Sequence, residues 1–173
     1  MRFITSLACL VVAACSSQPS EEISATWASE IKQKVVAALP NARVSVVCGG
    51  SKGKFLWLDH PEKEGAQWED DGIDGGALAF LEDAKGPNIV VKDAALNFGD
   101  LRSDGAEITV LHRDSDSPII STWVVAYRAS GIVQTHNIVK SNTGQLVDIW
   151  TSNKPAAFGP PRAFLFISNC VEA

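Results

Sequence analysis

The stretch that decides the fold covers residues 119–150 and reads IISTWVVAYRASGIVQTHNIVKSNTGQLVDIW. β-Branched and aromatic residues dominate it, and small or polar turn residues interrupt it at 129–131 and 141–144. Apolar runs bounded by Gly, Ser and Asn are typical of strands joined by tight turns. The stretch therefore predicts three consecutive antiparallel strands near 119–128, 131–140 and 145–150.

The same pattern extends over residues 41–173, which we interpret as one mainly β domain. Turn signals such as Asp104-Gly105 separate its apolar runs with short connections. Successive short strands with short connections favour an antiparallel up-and-down meander that forms a small barrel or sandwich. Six further strands are expected near 43–48, 54–59, 76–82, 88–92, 106–112 and 162–170.

Residues 21–40 predict one amphipathic helix in front of the β-domain. Ser20 is the expected N-cap, and Pro40 ends the helix because it cannot continue one. Both faces of the expected strand at 119–128 are largely apolar, so a second layer should cover it. The helix is the expected cover, since an apolar stripe recurs every four residues along it at Ile23, Trp27, Ile31, Val35 and Leu39.

Residues 1–14 consist of a short charged start, Arg2, and an uninterrupted run of apolar and small residues. That run is shorter than the roughly 20 residues that a membrane-spanning helix needs, so it predicts a secretory signal. It ends in Val12-Ala13-Ala14-Cys15, which resembles the lipobox of bacterial lipoproteins. The resemblance implies cleavage before Cys15, a diacylglyceryl group on its thiol and acylation of its amine, and hence a membrane anchor.

Residues 15–20 then form a lipidated tether, whose small and polar composition suits a flexible linker. In Gram-negative members of the class an Asp after the lipidated Cys favours the inner membrane, so Ser16 in that position implies an outer-membrane lipoprotein facing the periplasm. The alternative is ordinary cleavage after Ala13 or Ala14, which would give a soluble periplasmic protein.

A disulfide is expected between Cys48 and Cys170. Of the four cysteines, Cys9 lies in the export signal and Cys15 is assigned to lipid, which leaves one cysteine near each end of the β-domain. In an oxidising compartment a lone remaining pair is most simply a disulfide. The bond would bring the first and last strands of the β-domain into contact.

Composition limits the class of partner. The chain has 173 residues, 46% of them hydrophobic, and a formal net charge of −5, which is typical of a globular domain. The basic residues do not cluster, so nucleic acid is not an expected partner. The sequence contains no phosphate loop, dinucleotide fingerprint or Gly-x-Ser-x-Gly elbow, so no cofactor is expected.

An acidic, glycine-rich segment at residues 68–76 is the most unusual local sequence. Asp70, Asp71 and Asp74 offer the hard oxygen ligands that calcium prefers. Their spacing does not fit an EF-hand, which needs acids at alternate positions and a closing Glu. The segment is expected to be an exposed loop, with a calcium site as the less favoured interpretation.

The histidines give no metal motif, because His60, His112 and His136 form neither a helical pair nor a Cys/His cluster. If the turn at 141–144 is symmetric, His136 lies opposite Ile149 on the neighbouring strand. Asp148 then points to the other face of the sheet, so no His–Asp dyad is expected. A change of one residue in register would reverse that prediction.

The sequence thus favours a non-catalytic binding or interaction domain of the bacterial envelope, with the membrane as one partner through its lipid anchor. Its other partner is an unknown protein or a small apolar ligand. The alternatives are a lipocalin-like carrier and an inhibitor of a basic enzyme such as lysozyme. A hydrolase is the least favoured class, since no catalytic residue is identified.

Overall fold

The computed structural model describes residues 24–58, 64–73, 75–93, 97–154 and 161–173. Within these ranges the chain is mainly β: an antiparallel half-barrel sheet with one helix packed on it, which confirms the predicted fold class. The elements are α1 Ala25–Ala38, β1 Arg43–Trp57, β2 Gln67–Ile73, β3 Ala77–Asp83, β4 Gly86–Lys92, β5 Phe98–Asp100, β6 Glu107–Arg113, β7 Ile119–Tyr127, β8 Ile132–Lys140, β9 Leu146–Lys154 and β10 Arg162–Glu172.

The strands form one sheet in the order β5-β4-β3-β1-β10-β9-β8-β7-β6, and β2 also pairs with β1. The run from β6 to β10 is the predicted meander, in which each strand pairs with the next. The sheet curls, because Phe80 of β3 packs against Trp123 of β7 across its concave side, with ring centroids 5.4 Å apart. An ion pair of 2.8 Å between Arg113 of β6 and Glu82 of β3 also joins the two arms.

The first and last strands of the β-domain meet, as the cysteine count predicted. β1 pairs with β10 in antiparallel register, and Cys48 lies directly opposite Cys170. The two residues form the expected disulfide, with Cα atoms 4.0 Å apart and a sequence separation of 122. Both are buried, so the bond lies inside the sheet seam.

Strand β1 differs from its prediction, because the two strands expected at 43–48 and 54–59 are one continuous strand. Its register shifts between Cys48 and Ser51, where Gly49-Gly50 supplies a bulge. A bulge lets a long strand bend and twist without ending. One strand can therefore pair with two different strands in succession along the same edge. β3 pairs with its first half and β2 with its second half.

The predicted loop in the acidic segment is also wrong, because residues 67–73 form strand β2. Asp and Glu are poor strand formers, but pairing with β1 overrides that preference. Lys54 of β1 lies opposite Asp70 and its ammonium is 3.2 Å from the carboxylate.

Helix α1 begins after Ser24, whose hydroxyl accepts a hydrogen bond of 3.2 Å from the Trp27 amide. The predicted cap Ser20 lies outside the described residues. The apolar stripe is present, since Ala28, Ile31 and Val35 are buried. At 14 residues, α1 is the only helix in the described ranges, and it does not combine the length and apolar character that crossing a membrane requires.

The predicted cover of β7 by the helix is wrong. α1 packs on β1 and β3, in a cluster that includes Val47, Ala79 and Leu81. One face of β7 faces the concave core, where Trp123 and Val125 are buried, while the other face stays half-exposed. A folded protein leaves many apolar atoms in water, so an apolar second face does not require a cover.

Candidate functional site

A buried His–Asp pair lies on the concave face of the sheet. His136 Nδ1 and Asp148 Oδ2 are 2.7 Å apart, and the two residues are 2% and 0% exposed. The expectation that no dyad forms here is therefore wrong. The strands pair with His136 opposite Trp150, one residue away from the symmetric register, so His136 and Asp148 share a face.

The pair leaves one nitrogen of the imidazole without a partner. Burial raises the pKa of the Asp148 carboxyl, and the neighbouring His136 acts in the opposite direction. An Nδ1–H donated to Asp148 leaves a lone pair on Nε2 of the neutral ring. His136 Nε2 is buried and forms no hydrogen bond in the described part of the chain, which is costly for a polar atom.

Aromatic rings enclose His136 on both sides. Trp150 stacks on it at 5.5 Å with an interplanar angle of 21°, and Phe80 meets it edge-on at 5.4 Å. Beyond Trp150 the stack continues to Phe166 at 4.7 Å and then to Phe164. These ring contacts, together with the hydrogen bond to Asp148, favour one orientation of the imidazole.

A cavity of about 180 Å³ opens beside this stack, and His136 and Trp150 form part of its wall. The β1 bulge at 49–51 and the adjoining parts of β3, β4, β7, β8 and β9 form the rest of its lining. Most of the wall is apolar or backbone. The polar and aromatic side chains in the wall are those of Ser51, Tyr127, Gln134, His136 and Trp150. Lys92 also borders the cavity, but its side chain lies on the helix-side face, because its cross-strand neighbours belong to the cluster under α1.

Hydrogen bonds fix two of these polar groups in place. Ser51 Oγ accepts a bond of 3.1 Å from Trp150 Nε1 and lies 2.6 Å from Ser168 Oγ. The Lys92 ammonium donates to the Gly75 carbonyl at 3.0 Å, and the residue is only 7% exposed. Burial, with a smaller effect of Asp104, raises the pKa of the Tyr127 hydroxyl, so Tyr127 remains a hydrogen-bond donor.

The proposed calcium ligands do not converge in the described residues. Asp70 and Asp71 are neighbours on β2, so their side chains point to opposite faces, and Asp70 is paired with Lys54. Asp71 accepts a hydrogen bond from the Gly72 amide. Asp74 lies outside the described residues, so the calcium site stays a prediction.

The histidines are likewise apart where the structure describes them. His112 is exposed and its Nε2 contacts the Ile119 carbonyl at 3.0 Å, whereas His136 is buried. His60 lies outside the described residues. In the described ranges no three His, Cys, Asp or Glu side chains are grouped as metal ligands would be.

The remaining predicted site residue, Cys15, also lies outside the described residues, as do Val12 and the tether at 15–20. The sequence did not single out Lys92, Tyr127 or Gln134, which carry no local motif. Only the pairing of strands that are distant in sequence brings them near one cavity. The Gly-rich bulge at 49–51 was the one available signal, because glycines in a strand often mark a bulge or a close approach of a ligand.

Comparison of the chain with protein-family models, with curated proteins and with solved structures gave no match.

Proposed function

We propose that the chain is a non-catalytic binding protein of the bacterial envelope that holds a small molecule in the cavity beside His136. The observation that carries the proposal is the buried Nε2 of His136, which has no partner among the described residues although Asp148 orients the ring. A hydrogen bond donated by a ligand to the lone pair of Nε2 would remove the cost of leaving this buried nitrogen unpaired. Binding sites commonly combine a mainly apolar wall with a few fixed polar groups of this kind.

The size of the cavity limits the ligand. At about 180 Å³ it lies below the 300–1,000 Å³ that is typical of sites for drug-sized molecules. An engineered apolar cavity of about 150 Å³ in another protein holds benzene. The cavity therefore suits a single ring or a short chain with one polar group, which is smaller than the ligands of a lipocalin-like carrier.

Hydrolysis is the second candidate function, because a carboxylate that orients a histidine is also the arrangement of a general base. A nucleophile would have to lie within about 3 Å of the free Nε2. None does so in the described ranges, and the hydroxyl of Ser51 in the cavity wall is bonded to Trp150 and Ser168. A binding site therefore explains the geometry better, because it does not require a nucleophile beside Nε2.

Fragment titration followed by imidazole ¹⁵N NMR tests the binding proposal. The fragments are benzoate, benzamide, benzyl alcohol and toluene, each added to the purified protein at millimolar concentration. At least one should shift the Nε2 resonance of His136 and leave that of the exposed His112 unchanged. If no fragment moves His136, or if both histidines move together, the binding proposal is wrong. Turnover of a p-nitrophenyl ester that is lost in His136→Gln would instead support hydrolysis.

The proposed envelope location depends on Cys15. Its support is the resemblance of Val12–Cys15 to a lipobox, together with a disulfide that needs an oxidising compartment. Metabolic labelling with a palmitate analogue, followed by membrane fractionation, tests this part. Cys15→Ala should abolish both labelling and membrane association, while Cys9→Ala serves as the control. Unchanged labelling of the Cys15→Ala protein would contradict lipidation.

A further inference from the structure

We infer that the convex face of the sheet lies against a phospholipid bilayer where β1 pairs with β10. The surface concerned, the seam patch, consists of Lys52 and Lys54 on β1, Trp68 on β2, and Leu165 and Ile167 on β10. This inference rests on the part of the proposed function that anchors Cys15 in a membrane, and it does not depend on the cavity. It goes further by naming the surface of the folded domain that meets the lipid.

Strand register places the seam patch on one face of the sheet. Lys54 lies opposite Leu165 of β10, and Leu56 lies opposite Trp68 of β2. Lys54 and Leu56 share a face because they are two positions apart on one strand, and the other members follow by the same alternation. The adjacent β10 residue, Phe166, is buried in the concave core, so the seam patch points outwards.

The apolar members of the seam patch are exposed although they are large. Trp68, Leu165 and Ile167 are 57%, 44% and 51% exposed. Half-buried Ile149 of β9 lies opposite Ile167 and extends the apolar surface. Contiguous apolar surface marks interaction sites, whereas single scattered residues do not. Tryptophan suits the interface of a bilayer in particular, because its ring is apolar and its N–H is polar.

The lysines of the seam patch suit phospholipid headgroups. Lys52 and Lys54 stand beside the apolar side chains, and their long stems let the ammonium groups reach headgroup phosphates. Lys54 lies 3.2 Å from Asp70, but both side chains are mostly exposed, so this ion pair is weak enough to exchange for a phosphate. Lysine is depleted in protein–protein interfaces, which disfavours a second copy of the chain as the occupant.

A short tether would hold the folded domain near the membrane. Nine positions separate Cys15 from Ser24, the N-cap of α1. Even a fully extended chain of that length spans only about 32 Å. An inserted lipid raises the effective concentration of the membrane at the domain, so a patch too small to bind alone contributes once the anchor is in place. Membrane association is therefore still lost in Cys15→Ala.

The start of α1 lies on the same side of the sheet as the seam patch. Val171 of β10 packs in the cluster under α1, and it shares a face with Ile167 on the same strand. Only residues 39–42 connect α1 to β1, so the helix runs back along β1 and its first turn lies towards the bulge at 49–51. Lys52, opposite Ile167, follows that bulge directly. The tether therefore joins the domain beside the seam patch.

Quenching of tryptophan fluorescence by lipid tests the inference on the acylated protein. The protein is purified in detergent and reconstituted into vesicles of phosphatidylethanolamine and phosphatidylglycerol, with or without brominated acyl chains. Brominated lipid should quench the emission of the unmodified protein, and Trp68→Phe should lose most of that quenching while the position stays apolar. Trp123 and Trp150 provide the unquenched background, because both are buried.

Variants on β10 test the rest of the seam patch. Leu165→Thr with Ile167→Thr should lower the quenching of Trp68, because less apolar surface remains to contact the lipid. Leu111→Thr is the matched control and should leave the quenching unchanged. Leu111 is also an exposed leucine on a strand, but β6 lies four strands away from β10 in the sheet.

The outcomes separate this inference from the proposal on which it rests. If the purified chain carries no acyl group, the proposed anchor fails and the inference fails with it. If the acylated protein shows no quenching, or if Trp68→Phe retains it, the anchor stands but the seam patch does not face the bilayer.

A second copy of the chain is the competing occupant. Crosslinking of the reconstituted protein into dimers, abolished by Leu165→Thr with Ile167→Thr, would assign the seam patch to that copy and overturn the inference. The comparison of brominated with ordinary lipid on the unmodified protein remains decisive even if a variant does not fold.

Discussion

At the scale of single residues, Gly53 sets how closely β1 can approach β10. It lies opposite Phe166, and a Cβ atom built on it would be 2.0 Å from the Leu165 carbonyl oxygen and 2.7 Å from the Phe166 Cα. Because both obstacles are backbone atoms, a side chain cannot be accommodated by a change of rotamer. Gly53 therefore allows β1 and β10 to pair closely at Phe166, whose ring is part of the aromatic stack.

We predict that Gly53→Ala destabilises the protein by about 2–3 kcal/mol or more, since overpacking against fixed backbone forces strands apart. Gly72→Ala is the matched control, because a Cβ there would meet only the Ser51 carbonyl oxygen at an ordinary 3.5 Å. Urea unfolding of both variants measures the difference. Equal stabilities of the two variants would contradict the close approach of β1 and β10.

The protonation of Asp148 makes the free energy of unfolding depend on pH. Because burial raises its pKa above the ordinary value of 3.8, the folded state keeps a proton that the unfolded state has released. The contribution of Asp148 to the free energy of unfolding is therefore complete below the ordinary pKa and is lost as the pH rises through the raised one. The amide of Asn can still accept from His136 Nδ1, but it has no proton to lose.

Asp148→Asn should therefore gain stability relative to the unmodified protein as the pH rises from about 4 to about 8. Asp148→Ala should lose about 1–3 kcal/mol, because it leaves the buried Nδ1 without a partner. Urea unfolding at several pH values measures all three proteins. A relative loss of Asp148→Asn with rising pH would show that the ionised carboxylate stabilises the fold, which is the opposite of the expected sign.

At the scale of elements, the helix depends on its buried face rather than on its length. Ile31 is 3% exposed against the sheet, whereas Lys34 points to solvent on the same helix. We predict a loss of about 2–5 kcal/mol for Ile31→Ala, as for other large-to-small core substitutions, and less than about 0.5 kcal/mol for Lys34→Ala. Thermal and urea unfolding compare the two. Equal effects would mean that α1 contributes little to the core.

The elements also show what the sequence could and could not predict. Alternation and turn residues located β7, β8 and β9 within a few positions, because local chemistry decides where such strands begin and end. The register between β8 and β9 could not be predicted, since the loop has five residues between Lys140 and Leu146 where a symmetric turn of four was assumed. The extra loop residue shifts the register by one. Because side chains alternate between the two faces of a strand, the symmetric register had placed Asp148 on the face opposite His136.

The sequence did not predict the acidic strand β2 or the packing of α1 on β1 and β3, for another reason. Pairing with β1 makes a strand of residues that are poor strand formers, and the choice of α1 between two apolar faces depends on contacts distant in sequence. The cysteines were different, because counting alone left one pair available. The candidate cavity combines both limits. Its bulge glycines can be identified in the sequence, but the convergence of Tyr127, His136 and Trp150 cannot.

At the scale of the whole molecule, the seam between β1 and β10 joins the first and last strands of the β-domain. It runs along most of both strands, from Val46 opposite Glu172 to Trp57 opposite Arg162. The disulfide crosses it at Cys48 and Cys170, directly before the bulge at 49–51 that lines the cavity. Closure of the half-barrel and the shape of the candidate site therefore depend on the same few residues.

We predict that Cys48→Ala with Cys170→Ala lowers the free energy of unfolding by about 2–5 kcal/mol, because the bond constrains a long loop in the unfolded chain. Urea unfolding with and without a reductant provides an internal control. Reduction should bring the unmodified protein to the stability of the double variant and should leave the double variant unchanged. A loss below about 1 kcal/mol would show that the β1–β10 ladder closes the half-barrel without the bond.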